Sequence, residues 1–245
     1  MNSKKLILGV TAVLVGGLFV LGGIVSAKPG GDAKRGGELF KKNCTECHGD
    51  KGQGRGGPQG WFTGGGGEVT DLVGNQLNNQ DFLALASDEY LKETIEYGRP
   101  NHLMPAWGDK GKGLKDKDVD DLVAFLRSWQ KAPSIHVDDN LQVWGNPVNG
   151  KDWFDAICAK CHGENGDGTD GAPVLNDPVF LKYASDDFIR QTVLRGRQGT
   201  VMRSFLAGKD DAVTELEPRQ IDDIVSYIRS WDKSAKPRFT LDQMK

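Results

Sequence analysis

Cys44-Thr45-Glu46-Cys47-His48-Gly49 and Cys158-Ala159-Lys160-Cys161-His162-Gly163 are two copies of one six-residue plan. They use all four cysteines of the chain, so no thiol is left for a structural disulfide. The duplication continues outward from these strings. Ala86-Ser87-Asp88-Glu89-Tyr90-Leu91 is matched by Ala184-Ser185-Asp186-Asp187-Phe188-Ile189, and at the same offset Thr94 meets Thr192, Gly98-Arg99 meets Gly196-Arg197, and Met104 meets Met202. Leu122 to Trp129 likewise pairs with Ile224 to Trp231. Two copies make a duplicated domain rather than a solenoid. One unit is assigned to residues 32–131 and the other to 149–233, with a linker at 132–148 and a tail at 234–245.

Both units read as helical. Val119, Leu122, Val123 and Leu126 recur at i, i+3, i+4 and i+7, as do Ile221, Ile224, Val225 and Ile228, which places each set on one helix face. Ser87 is a capping residue with acids in the turn after it, and Gly98 is a helix stop. Pro218 suits a first turn. The segments holding Phe40 and Phe154 also suit helix, and no alternating strand pattern is evident. The linker, with its prolines, asparagines and charges, has no clear period.

The Cys-x-x-Cys-His spacing is that of covalent haem attachment. Two thiols add to the two vinyl groups of a haem, two intervening residues span those points, and the adjacent histidine is held beneath the iron. Cys44, Cys47, Cys158 and Cys161 are therefore the candidate attachment residues for two haems c, and His48 and His162 the proximal iron ligands. A thioredoxin-like or zinc motif would have to occur twice, each time followed by histidine.

An electron-carrying haem needs a sixth ligand, and methionine raises the reduction potential. Met104 and Met202 occupy equivalent positions, with Trp107 and Phe205 three residues later; the alternative is that each fills a gap in the core. His102 rivals Met104, but its counterpart is Thr200, which cannot serve. His136 reads as a linker surface histidine. Arg99 and Arg197 are either propionate partners, since a guanidinium fork suits a carboxylate, or solvated helix-end cations.

Each unit resembles a class I cytochrome c domain: a short helix, Cys-x-x-Cys-His-Gly, loops, a middle helix, a methionine and a final helix. The resemblance implies an all-α tandem pair in which first and last helices pack together. Phe40 with Trp129 or Phe125, and Phe154 with Trp231 or Tyr227, are the expected contacts. Met104-Pro105 follows the family pattern, whereas Met202 is followed by Arg203. The family also places a carbonyl, often of a proline, against the proximal histidine. Pro173 suits that role in the second unit; in the first, only Pro58 or an unidentified carbonyl is available. Gly52-x-Gly54-x-x-Gly57 and Gly166-x-Gly168-x-x-Gly171 spell a dinucleotide fingerprint, but a haem string precedes each where a strand is required. The glycine-rich loop around Trp61 is instead expected to cross a haem edge.

Met1 to Lys5 is short and basic, and Leu6 to Val25 is continuously apolar or glycine apart from Thr11. Twenty residues at about 1.5 Å each match a bilayer core. Residues 6–27 are thus an N-terminal transmembrane helix or a signal segment; Val25-Ser26-Ala27 would allow cleavage. Lys4 and Lys5 favour a cytoplasmic N-terminus, which places the haem units on the periplasmic or outer face of the cell membrane. Gly9, Gly16 and Gly23 share one face of that helix, either for close packing against another membrane helix or as the glycine common in such helices.

A formal net charge of -3 offers no basic field for nucleic acid. The expected function is a one-electron relay with no catalytic site of its own, in a membrane respiratory or photosynthetic complex. Its expected partners are membrane oxidoreductase subunits, membrane lipid and a small soluble or membrane electron carrier. The competing function is a di-haem peroxidase with an open site at the second haem.

Overall fold

The computed structural model describes residues 30–54, 72–100, 102–169, 171–206 and 214–234. The segment 6–27, Pro58, Trp61 and the tail beyond Ser234 lie outside these. Among the described residues the structure is helical, and extended pairing is confined to one bridge between Thr169 and Ala172.

The first unit contains α1 (Ala33–Asn43), α2 (Thr45–His48), α3 (Gln80–Leu85), α4 (Asp88–Tyr97) and α5 (Asp116–Ser128). The second repeats them as α6 (Pro147–Trp153), a π-helical turn (Phe154–Cys158), α7 (Ala159–His162), α8 (Pro178–Tyr183), α9 (Asp186–Arg195) and α10 (Pro218–Ser230). The four residues at helical spacing on α5 are all buried, as are the four on α10. Ser87 and Ser185 cap α4 and α9 through their hydroxyls, and Gly98 and Gly196 end those helices with positive φ.

First and last helices cross in each unit. Phe40 lies 5.4 Å from Phe125 and 5.2 Å from Trp129, and Phe154 lies 5.5 Å from Tyr227 and 5.2 Å from Trp231. The edge-on rings suit the aromatic quadrupole. Glycine makes the crossings possible: a Cβ on Gly36 would collide with the carbonyl oxygen of Asp121, and one on Gly150 with that of Asp223. A buried aspartate then locks each crossing. Asp121 accepts the backbone N–H of Asp32 at 2.6 Å, and Asp223 accepts that of Asn146 at 2.6 Å.

The segment between the units is held at both ends. Ile135 N–H bonds to Ala84 O at 2.8 Å in the first unit. Asp138 and Val143 donate to Asp187 and Asp186 of α9 at 3.0 and 2.8 Å, and Val143 enters the core. The units themselves meet along a seam in which α4 packs on α8 and α3 on α9.

Candidate haem sites

Each cysteine–histidine string is a single helical turn at the end of the first helix, closed by a glycine. Gly49 and Gly163 adopt φ of 77° and 78°, a region open to glycine. The chain then folds back on the string. Gly54 N–H bonds to His48 O at 2.9 Å, and Gly168 N–H to His162 O at 2.8 Å. Gly52 and Gly166 lie so close to the rings of Trp129 and Trp231 that neither could carry a Cβ. These glycines therefore serve close packing around the string, and no strand precedes either loop among the described residues.

The histidines are set alike. His48 Nδ1 lies 2.8 Å from the carbonyl oxygen of Asn75, and His162 Nδ1 lies 2.9 Å from that of Pro173. A carbonyl can only accept, so Nδ1 carries the proton and Nε2 keeps its lone pair. Burial pushes both imidazole pKa values down against the opposing effect of the carbonyl. The rings are therefore held neutral, with the tautomer that a metal ligand requires. Pro173 is the residue the sequence indicated. In the first unit the acceptor is Asn75 rather than Pro58, which lies outside the described residues.

All four cysteines are free and half-buried. Burial, with the neighbouring cysteine adding to it, pushes the Cys44 and Cys158 thiols up to about 12. A thioredoxin-like pair depends on the opposite shift, so the strings are unsuited to thiol–disulfide exchange. No group of three or more His, Cys, Asp or Glu side chains placed to hold a metal ion occurs among the described residues. The donor set fits haem c: two thiols, a neutral imidazole with a fixed tautomer, and a glycine-closed turn, all present twice.

The methionine loops are matched in backbone geometry. Arg99 N–H bonds to Met104 O at 2.8 Å, and Arg197 N–H to Met202 O at 2.6 Å. Both loops press on the helix-ending glycines, Gly98 and Gly196. The change from Pro105 to Arg203 thus leaves this anchoring intact. Both methionines are half-buried, and His102 and His136 are exposed.

Arg99 is not the solvated helix-end cation that was one expectation for it. Its guanidinium reaches across the seam to Asp177 at 3.2 Å, bonds to Tyr90 Oη at 2.8 Å and to Thr94 Oγ1 at 3.5 Å, and lies over the Phe180 ring. At 14% side-chain exposure it is no solvated cation.

Residues 31–126 match the family described as cytochrome c oxidase, cbb3-type, subunit III, and residues 147–232 match the family described as cytochrome c. The all-α fold of both halves is consistent with class I cytochrome c domains. The cbb3-type cytochrome c oxidase subunit FixP of Bradyrhizobium diazoefficiens is 27% identical over 206 residues, covering 80% of this chain and 60% of that protein. The corresponding subunit CcoP of Rubrivivax gelatinosus is 30% identical over 200 residues, covering 80% and 54%. The chain thus spans about 60% or less of the length of these curated relatives. A chain of the Kuenenia stuttgartiensis reducing HAO-like protein complex is 22% identical with a TM-score of 0.48, over 82% of this chain and 96% of that one.

Proposed function

We propose that the chain is the di-haem electron-relay subunit of a cbb3-type cytochrome c oxidase, with no catalytic site of its own. The observation that carries this reading is the mirrored pair His48–Asn75 and His162–Pro173, set in two units whose relatives are such subunits. Cys44 and Cys47 would hold one haem c and Cys158 and Cys161 the other, with His48 and Met104, and His162 and Met202, on the two irons. When bound, haem iron supplies a reversible one-electron change whose potential the axial ligands set.

The chain's own contribution is to hold each imidazole in one tautomer, exclude water from the strings, and fix the distance between the sites. The shared seam makes that distance independent of diffusion, the advantage of joining two reactants in one body. Residues 6–27 would anchor the chain in the cell membrane, with the haem units on the periplasmic or outer face. Partners would be the other oxidase subunits, membrane lipid and a small soluble or membrane electron donor. The peroxidase alternative depended on a different loop at Met202. The matched Arg197–Met202 bond favours the relay.

The test is purification of the native chain with its membrane partners, followed by a pyridine haemochrome assay. Two haems per chain, resistant to acidified acetone and accompanied by oxidase subunits, are expected. One haem, or a chain that reduces peroxide in isolation, would overturn the reading. Mass spectrometry that finds a mature start at Lys28 would show a cleaved signal in place of an anchor.

A further inference from the structure

The two methionine loops begin with the same turn, but different chemistry holds it. Arg99 O accepts His102 N–H at 3.0 Å, and Arg197 O accepts Thr200 N–H at 3.1 Å. The second residue of that turn is Pro100 in the first unit and Gln198 in the second. Gly199 follows Gln198 with φ of 77°, the positive angle of a type II turn, in which the residue before it suits proline. Pro100 therefore stiffens its own loop, since its ring fixes φ, and Pro105 follows Met104. The second loop, from Arg197 to Arg203, contains no proline.

The first unit makes up that difference by reaching across the seam. Asp81 on α3 accepts the backbone N–H of Gln198 at 2.5 Å, and Asn79 Nδ2 donates to the Gln198 carbonyl at 3.0 Å. Both backbone polar groups of Gln198 are thus gripped by side chains of the other unit. Asn79 is well fixed for this: it is buried, and its Oδ1 caps α3 by accepting Phe82 N–H at 3.0 Å. The same grip cannot run the other way. At the repeat offset Asn79 corresponds to Asp177, Asp81 to Val179 and Gln198 to Pro100. Val179 has no side-chain acceptor and Pro100 has no N–H, while Asp177 meets the guanidinium of Arg99.

From Gln198 the hold passes to the methionine. Arg197 N–H bonds to Met202 O at 2.6 Å. Thr200 Oγ1 donates to Arg197 O at 2.8 Å and accepts Met202 N–H at 3.1 Å. The turn and the methionine backbone are therefore tied into one piece. A thioether that leaves an iron must carry its loop with it, so whatever holds the loop opposes displacement of Met202.

We propose that Asn79 and Asp81 of the first unit are positioning residues for Met202. They hold the second haem's sixth ligand in place, where the first loop relies on its own prolines. They act through the loop and not by ligation. Docking of the first unit then closes the second iron to outside ligands.

The inference rests on the ligation of the second iron by Met202, as proposed above. The experiment is an imidazole titration of the oxidised holo chain, following the methyl signals of the haem-bound methionines by NMR. Met104→Ala and Met202→Ala assign those signals. Asn79→Ser keeps the helix cap, since serine also caps, but loses the donor; Asp81→Ala loses the acceptor. Together they should let imidazole displace Met202 at a roughly tenfold lower concentration, the scale of lost hydrogen bonds. Displacement of Met104 should not change. Adding Gln198→Pro should restore resistance at the second haem by giving its loop the stiffness of the first. Asp177→Asn weakens the seam at Arg99 and keeps its own cap, and should leave Met202 as hard to displace as before. Unchanged displacement of Met202 in the double variant, or an equal loss from Asp177→Asn, would overturn the inference. Lost resistance at both haems alike would also overturn it. If Met202→Ala removes no methyl signal, the ligation itself fails, and the inference with it.

Discussion

Tyr90 and Phe188, equivalent residues of the two units, meet across the seam as a tilted pair with ring centroids 4.9 Å apart and planes inclined by 34°. A residue meets its own counterpart only on an axis that exchanges the two units. The contact therefore marks an approximate two-fold axis, and the mirrored placements of Arg99 over Phe180 and Arg197 over Phe82 agree with it. Both rings are buried, at 7% and 4% exposure, so the contact belongs to the core and not to a loose junction.

Phe188→Ala should therefore cost about 3–5 kcal/mol, the range for large buried aromatics. It should also divide one unfolding transition into two, as each unit loses its hold on the other. Calorimetry of the holo chain checks this. A single transition at an unchanged midpoint would show that the seam contributes little to stability.

Gly36→Ala and Gly150→Ala should each destabilise one unit by about 1–3 kcal/mol, as overpacking does. The added methyl must push α1 off Asp121 O, or α6 off Asp223 O. The loss should appear in denaturant titration as a lower midpoint, and the substituted unit should show faster amide exchange along its last helix.

Acid should weaken the first unit through Asp121. Burial alone would raise its pKa, but the Asp32 N–H, Arg35 and Lys117 donate to it, and the result lies below the ordinary carboxylate value. A carboxylate whose folded pKa is depressed contributes stability that is complete above its unfolded pKa, near 4. That contribution is lost as pH falls through the folded value. Asp121→Asn should cost roughly 1–3 kcal/mol at neutral pH, the scale of a hydrogen bond to a charged group. It should also flatten the dependence of unfolding on pH below about 4, which urea melts across that range would show.

The helices and the histidine strings were legible in the sequence, because each depends on residue type at fixed spacing, while the crossing aromatics and the Pro173 carbonyl followed from the resemblance to class I cytochrome c domains. The acceptor for His48 was not. Asn75 contributes only its backbone carbonyl, which every residue possesses, and it follows a long loop. The seam was hidden for another reason. Arg99 read as a propionate partner or a helix-end cation, Asp177 and Tyr90 carried no signal of their own, and only the docking of one unit on the other brings them together. Gly36 and Gly150 could have been found as glycines at one position of both first helices, four residues before Phe40 and Phe154.

The methionines offer the most direct test of the proposed ligation. Met104 and Met202 have matched backbone anchors, through Arg99 and Arg197, and both are half-buried, while His102 is exposed and has no histidine counterpart. If both irons have a histidine and a methionine ligand, each oxidised haem should show the weak long-wavelength sulfur-to-iron band expected of that pair. Met104→Ala and Met202→Ala should each remove the band from one haem only. Each should also lower that haem's potential by a sizeable fraction of the roughly 0.8 V that axial ligation spans, because thioether favours reduced iron. The other haem should move little, since the loops lie in separate units, and His102→Ala should leave both spectra unchanged. An unaltered spectrum and potential in Met202→Ala would mean that Met202 only packs against the core. The second iron would then have another ligand or an open position, and the peroxidase alternative would move ahead of the relay.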